Sequence, residues 1–502
     1  MNKYLIAFLF LNYLSSQLHE NKIQNRIINH IEHRQNINTI TNNYRNEEDL
    51  IQFIESIVHT HQIPGLSISI VKNENIVWEK QFGFANINDA IEVNENTMFI
   101  LSSISKTITV TALMQLYEQN LFDLDDNINN YLPFDIIHPS YPDTPITFKM
   151  LLSHTSGIKD NWNIMTYYDG DSPLSLNYYL EQYLTPEGNL YNSYLNFTDS
   201  YPGSNFLYTN NGVALIGLLV EKISDQAFNN YCIENIFEPL AMNNTYWYLS
   251  EITNLNQVAL PYQYTGGNGD SCFDIGCGIY DQNNPCFCDS ECIYYDDCCS
   301  DYNEICGEDG IGSNPENLTE YENYGYSDYP SGQLRASSNN LAKFMITYMN
   351  GGSYNGISIL NSQTIELIKA IHYPAINSTQ GLIWYYKNQN ERSLFGHNGG
   401  DLGSSTEMFV SFSDNIGVVL LSNSNKYNAM IQIENALIDF AVETNFIITG
   451  DINLDTTINI IDVILIVNII INSQTYNNLA DLNHDGLINI VDILQLINLI
   501  LI

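Results

Sequence analysis

Short apolar runs alternate with longer helical patterns from about Leu50 to Phe446, and both ends of this stretch read as β structure. Leu66 to Val71 and Ile76 to Phe84 are joined by the polar turn Lys72 to Asn75, which predicts a hairpin. Met408 to Phe412 and Ile416 to Ser422 predict a second one, followed by a helix over Met430 to Val442. Between them, Ser105 to Gln119 and Phe228 to Ile236 carry apolar residues at helical spacing. Strands at both ends with helices between predict an α/β sandwich whose sheet is completed by segments distant in sequence.

Two segments break this pattern. Eight of the nine cysteines crowd between Cys272 and Cys306, flanked by the Gly- and Asn-rich stretches Gly266 to Asp270 and Gly307 to Asn314, which bound a small insert over 270–307. Beyond Phe446, Asp451 recurs as Asp481 and Asp462 as Asp492, and each acidic block runs into an apolar helix, Val463 to Ile471 and Ile493 to Leu501. At the other end, Lys3, the apolar run Tyr4 to Leu14 and the small and polar residues after it have the order of a secretory signal peptide over 1–18. An Asn-rich linker fills 19–47, so the central body spans 48–446 and the tail 449–502. No apolar run reaches the roughly 18 residues of a membrane-spanning helix.

Length, at 502 residues, agrees with this division, because it exceeds what one core usually organises. A formal charge of -40, from 57 acidic and 17 basic residues, leaves no basic patch for counterion release and excludes nucleic acid as a partner class. Crowded cysteines belong to an oxidising compartment and agree with export.

Candidate chemistry begins at Ser103-Ile104-Ser105-Lys106, at the head of the first predicted helix. A three-residue offset puts the hydroxyl and the ammonium on one face, where lysine can assist proton removal beside a helix N-terminus that favours negative charge. Such a pair arises about once by chance in a chain this long, so its company matters. Tyr208-Thr209-Asn210 precedes a helical stretch, and His397-Asn398-Gly399 stands just ahead of a strand pattern. Together with Leu151 to Ile158 (LLSHTSGI), Phe206 to Lys222 and Ser331 to Phe344, this ordered set resembles the serine β-lactamase superfamily, in particular class C β-lactamases and penicillin-binding proteins. The resemblance covers nearly all of 48–446 and implies the β-lactamase/transpeptidase type of α+β sandwich.

It also implies roles. Ser103 would form an acyl-enzyme, with Lys106 and Tyr208 sharing proton transfer and the Lys106 cation favouring the Tyr208 phenolate. Asn210 would orient Lys106 and the substrate, the backbone N–H groups of Ser103 and Gly400 would form the oxyanion hole, and Gly399 with Gly400 would let the strand approach the substrate. His397 would line the same cleft. β-Lactamases and many carboxypeptidases of this superfamily carry Lys-Thr-Gly where this chain has His397-Asn398-Gly399. Exchanging a permanent cation for a residue only partly charged near neutrality points to an ester, a short peptide or an amide as substrate. A D-alanyl-D-alanine carboxypeptidase or a β-lactamase is the enzymatic alternative. A non-catalytic protein that presents the insert to a partner is the other. His154 in LLSHTSGI is assigned a structural role, and Cys232, alone among apolar neighbours, a buried one.

In the insert, Cys272, Cys277, Cys286, Cys288, Cys292, Cys298, Cys299 and Cys306 include the text CFCDSECIYYDDCCSDYNEIC, which resembles a somatomedin B domain and implies four disulfides of open connectivity. A segment of roughly forty residues cannot fold on its own core without such cross-links. Histidine is absent from it and zinc-ribbon spacing does not occur, so disulfides are favoured over a metal. The insert is a candidate surface for a protein partner, and its place between the Tyr208 and His397 regions puts it near the cleft.

In the tail, Asp451, Asn453, Asp455, Asn459 and Asp462 hold the first, third, fifth, ninth and twelfth positions of a calcium loop, and Asp481, Asn483, Asp485, Asn489 and Asp492 repeat them. The duplicated loop and helix resembles a type I dockerin, which implies an all-α tail, structural calcium and a cohesin-like partner. Gly486 fills the turn position of the second loop, whereas the first has Thr456 and is the weaker site. Ile460, Ile461, Ile490 and Val491 stand where such domains often place Ser or Thr, so recognition there would be apolar. The whole reads as a secreted or cell-surface serine hydrolase that needs no cofactor for catalysis.

Overall fold

The computed structural model describes residues 46–264, 271–272, 277, 286, 288, 292, 298–307, 318–446, 449–454, 458–472, 477–483 and 485–501. The expected signal peptide, most of the linker, and Asp455 and Thr456 of the first calcium loop lie outside the described residues.

Seven strands form the main sheet: β1 (Gly65–Lys72), β2 (Asn75–Asn86), β3 (Ile91–Glu92), β4 (Tyr385–Gln389), β5 (Arg392–Asp401), β6 (Ser404–Ser411) and β7 (Ile416–Ser422). Their order is β4-β5-β6-β7-β1-β2-β3. The ends of the body meet where β1 pairs antiparallel with β7, Leu66 opposite Ser422 and Lys72 opposite Ile416, as the two hairpin patterns predict. Asn73 with Glu74, and Asn390 with Glu391, turn the β1–β2 and β4–β5 hairpins with positive φ at both residues, the geometry that matches strand twist.

Helices α1 (Glu47–Thr60), α2 (Ser105–Glu118), α3 (Asn210–Ser224), α4 (Ser338–Met349) and α5 (Tyr427–Glu443) complete the body. Alternation along β7 explains the layers. Val418 and Leu420 pack with Leu50 and Ile54 of α1 and Ile433 and Leu437 of α5, while Val419 and Leu421 face the larger core that holds α2, α3 and α4. A strand buried on both faces reads as an unbroken apolar run, which is how Ile416 to Leu421 looks in the sequence.

Two predicted boundaries change. Strand β6 begins at Ser404 rather than Met408, because Ser404 and Thr406 are buried and donate to the carbonyls of Ile100 and Leu101 at 3.0 and 2.9 Å. Their polarity is satisfied by the turn before α2, and hydropathy alone misses that. His397, Asn398 and Gly399 lie within β5 rather than ahead of a strand, since pairing of His397 with Met408 and Gly399 with Thr406 overrides their low strand propensity.

The insert is closed by four disulfides, Cys272–Cys288, Cys277–Cys306, Cys286–Cys299 and Cys292–Cys298. Tyr262–Tyr264 pairs with Leu318–Glu320 at its base. Buried Lys426 ties it to the body by donating to the Cys277 carbonyl at 2.7 Å, with the ammonium 3.7 Å from the Tyr264 ring centroid. In the tail, α6 (Ile460–Asn472) and α7 (Ile490–Leu501) share a small core of Val463, Ile466, Ala480, Ile493 and Leu496. Among the described residues, no helix is long and apolar enough to cross a membrane.

Candidate active site

Ser103 sits in the 3-10 turn Ser102–Ile104 that leads into α2. Ser102 before it has φ of 49°, a left-handed conformation that costs a non-glycine residue energy and is held here by its surroundings. Its hydroxyl donates to Ser404 Oγ at 3.1 Å. On the next turn, Lys106 is fully buried and its Nζ donates to Ser103 Oγ at 3.0 Å and to the Ser331 carbonyl at 2.6 Å. Lys106, which Asn210 was expected to orient, is held by Ser331, whose carbonyl reaches the ammonium from the turn Tyr329–Ser331. Asn210 remains on the wall of the cleft.

Burial lowers the Lys106 pKa to about 7, against the opposing pull of Asp160, Asp328 and Asp401. Half-neutral at physiological pH, it is suited to take a proton. Tyr208 moves the other way. Burial and then Asp160 push its hydroxyl above the ordinary range, with only the Ser103 hydroxyl opposing. The expected phenolate is thus disfavoured, and Tyr208 stands as a protonated phenol. Its ring lies 4.9 Å from Lys106 Nζ, and its buried oxygen faces Ser103 without closing a hydrogen bond of full geometry.

The segment carrying Tyr208 is fixed by Asp160, which the sequence reading passed over. Its carboxylate accepts from Thr209 Oγ1, the backbone N–H of Asn210 and Asn211, and Asn211 Nδ2 at 2.7 to 3.0 Å, capping the N-terminus of α3. His154 supports the same segment, its ring centroid 4.5 Å from that of Tyr208 and its Nδ1 accepting from the Thr209 N–H at 3.3 Å, in keeping with a structural role. Cys232 is buried and outside all disulfides, and burial raises its thiol pKa.

Strand β5 forms the opposite wall. Pairing with β4 stops at Tyr385 opposite Gly396, so among the described residues that edge of β5 has no strand partner from His397 onward. A Cβ on Gly399 would overlap the Leu101 carbonyl and Thr406 Oγ1 and crowd Ser102, and one on Gly400 would overlap Tyr427. These glycines admit the nucleophile's turn and Tyr427 rather than only a substrate. Gly399→Ala should therefore displace Ser103 and lower its acylation rate about 100-fold with the fold retained, measured by fluorophosphonate labelling and circular dichroism; wild-type labelling would refute this.

His397 is buried, and its Nδ1 pairs with the Asn398 carbonyl, which makes Nδ1 the donor and leaves Nε2 as an acceptor that no group among the described residues satisfies. Burial and Lys106 lower its pKa to about 3. It is neutral at pH 7, not partly charged as the sequence suggests, because desolvation penalises the cation.

Ser103 and Gly400 lie between two cavities. One of about 210 Å³ is lined by Phe206, Tyr208, Tyr385 and His397. The other, of about 530 Å³, is lined by Trp162, Tyr167, Tyr326, Asp328, Asp401 and Tyr427, with Gln263 from the base of the insert and Asn425 beside them. Sequence reasoning missed these acids, although Asp401 directly follows Gly400 and Asp160 stands two residues after the end of LLSHTSGI.

In the tail, Asp451, Asp462, Asp481 and Asp492 are all buried, in a stretch, 449–501, whose sequence holds no Lys or Arg. Asp462 accepts from the N–H groups of Ile452 and Asn459, and Asp492 from those of Leu482 and Asn489, so the ends of the two loops are tied in the same way. Asp481 accepts from the N–H groups of Asp485 and Gly486, the latter with φ of 84°. Buried carboxylate oxygens brought together in this way fit a hard cation such as calcium.

Comparison with known proteins agrees with both parts. The Beta-lactamase family model matches residues 50–443 and the Dockerin type I domain model residues 449–501. A penicillin-binding protein of Bacillus subtilis is 22% identical over 382 residues, covering 74% of this chain and 70% of its own length. Protein flp of Staphylococcus aureus is 27% identical over 208 residues, 41% of this chain and 39% of its own length. Among solved structures, the D-amino acid amidase of Ochrobactrum anthropi SV3 complexed with D-phenylalanine superposes with a TM-score of 0.57 at 17% identity, covering 79% of this chain and 100% of its own. The octameric penicillin-binding protein homologue of Pyrococcus abyssi gives 0.54 at 21% identity over 78% of this chain and 77% of its own. From residues 50 to 443 the chain belongs to the Beta-lactamase family of serine hydrolases, and a type I dockerin domain follows.

Proposed function

We propose that this protein hydrolyses an ester, an amide or a short peptide through an acyl-enzyme on Ser103. The observation that carries the reading is the hydrogen bond from buried Lys106 to Ser103 Oγ, with Lys106 brought down to about 7 and a neutral His397 across the cleft. As the neutral amine, Lys106 takes the Ser103 proton while Oγ bonds to the substrate carbonyl carbon. The carbonyl oxygen, now negative, is met by the N–H groups of Ser103 and Gly400. The bond to the leaving nitrogen or oxygen breaks as Tyr208 gives that atom its proton and regains one from the Lys106 ammonium. Water then attacks the acyl-enzyme by the reverse path and frees the acid and Ser103.

A neutral imidazole where Lys-Thr-Gly enzymes present a cation argues against gripping the carboxylate of a β-lactam or a peptide C-terminus. Intact-protein mass spectrometry after a fluorophosphonate and, separately, a penicillin tests this. The expected result is a fluorophosphonate adduct that Ser103→Ala abolishes and no penicillin adduct. A penicillin adduct would favour the carboxypeptidase or lactamase reading, and no adduct at all the binding-protein reading. The tail, with calcium held by Asp451, Asn453, Asp455, Asn459 and Asp462 and by Asp481, Asn483, Asp485, Asn489 and Asp492, would attach the enzyme to a cohesin-like partner outside the cell. The disulfide insert, similar to a somatomedin B domain, is the second surface for a protein partner.

A further inference from the structure

We infer that the larger cavity beside Ser103 receives a protonated amine, so that the acyl donors this site takes are amino-acid or short-peptide derivatives with a free amino group. The inference rests on the serine hydrolase reading and narrows its substrate class.

Three features of the cavity carry it. Two of its lining residues are the carboxylic acids Asp328 and Asp401, and the described lining contains no Lys or Arg. Lys106, the cation behind the wall, is already engaged by Ser103 and the Ser331 carbonyl and is opposed by three carboxylates, Asp160, Asp328 and Asp401. With both acids ionised the cavity is negative in excess and repels a carboxylate. Second, Asn425, which lines the same wall, has a buried Oδ1 that no group among the described residues satisfies, an acceptor with capacity for a further donor. Third, the remaining wall is aromatic, with Trp162 at the mouth 67% exposed and Tyr167 donating to Asp401 Oδ1 at 2.6 Å. Aromatic faces beside carboxylates suit an ammonium and its apolar side chain together. Burial raises Asp401, and burial with Asp160 pushes Asp328 up to about 7. An ammonium would supply the positive charge that these acids otherwise draw from a proton.

Protection of Ser103 in the full chain provides the test. The rate of fluorophosphonate labelling is measured at neutral pH with increasing phenethylammonium, with the neutral 3-phenylpropanol and with the anionic phenylpropanoate. The ammonium is expected to protect at a concentration about tenfold lower than the neutral compound, the factor of one charge-assisted hydrogen bond. In Asp401→Asn that advantage should vanish while the neutral compound protects as before, and Asp328→Asn repeats the measurement should the first variant not fold. Equal or better protection by the neutral or anionic compound would overturn the amine inference and leave the nucleophile in place. Absence of any Ser103 labelling would overturn the reading beneath it, and this inference with it.

Discussion

Lys106→Met is expected to slow fluorophosphonate acylation of Ser103 by roughly 10²–10⁴-fold, the usual worth of a positioned general base. The sign of the pH dependence follows from which form is active. Lys106 must be neutral to accept the Ser103 proton, and burial places its pKa at about 7, so labelling of the wild type should rise as pH passes about 7 and level off above it. Lys106→Arg, charged throughout this range, should be slow and flat. Asp328 is also pushed to about 7, and Asp328→Asn separates the two: the inflection should survive that change and disappear in Lys106→Met. Wild-type labelling by Lys106→Met, or an inflection near the ordinary lysine value, would remove Lys106 from the proton path. Tyr208, raised above its ordinary range, offers no competing base near neutrality.

Legibility of this site varied with the physics behind each residue. Ser103 and Lys106 were readable because a helix fixes what lies three residues along, and Tyr208 because Thr209 is the N-cap of the helix that follows it, its hydroxyl accepting from the Gly212 N–H. The sheet was readable because buried strands leave unbroken apolar runs, and β1 and β7 carry them at opposite ends of the body. The acids were not readable. Asp160 and Asp328 come from two loops and Asp401 from the end of β5, and only the fold brings their charges to bear on Lys106. Strand β5 hid for a related reason: its His-Asn-Gly-Gly stretch has poor strand propensity and is held by β6 on one side alone. Direction of ionisation was also out of reach, since the shifts of Lys106, Tyr208 and His397 are all led by burial. In the insert, composition gave the chemistry of the cysteines and the fold gave their pairing.

Removing calcium from the full-length protein is expected to unfold the tail while the catalytic body stays folded. Among the described residues, Asp451, Asp462, Asp481 and Asp492 are buried beside a small core of Val463, Ile466, Ala480, Ile493 and Leu496, in a stretch whose sequence holds no Lys or Arg. Each buried carboxylate costs several kcal/mol unless a cation or donors compensate. Calcium held at about 100 times its Kd adds about 2.7 kcal/mol to the folded tail, so its removal should raise the open population about 100-fold. Limited proteolysis with and without chelator, read by mass spectrometry, should show new cuts within 449–501 only when calcium is removed. Fluorophosphonate labelling of Ser103 should be the same in both samples. Asp492→Ala should make the tail sensitive even with calcium present, because Asp492 would hold the ion and also caps the loop through Leu482 and Asn489. Equal protease resistance with and without chelator would take calcium out of the account of this tail, and loss of Ser103 labelling on chelation would tie the tail to the active site instead.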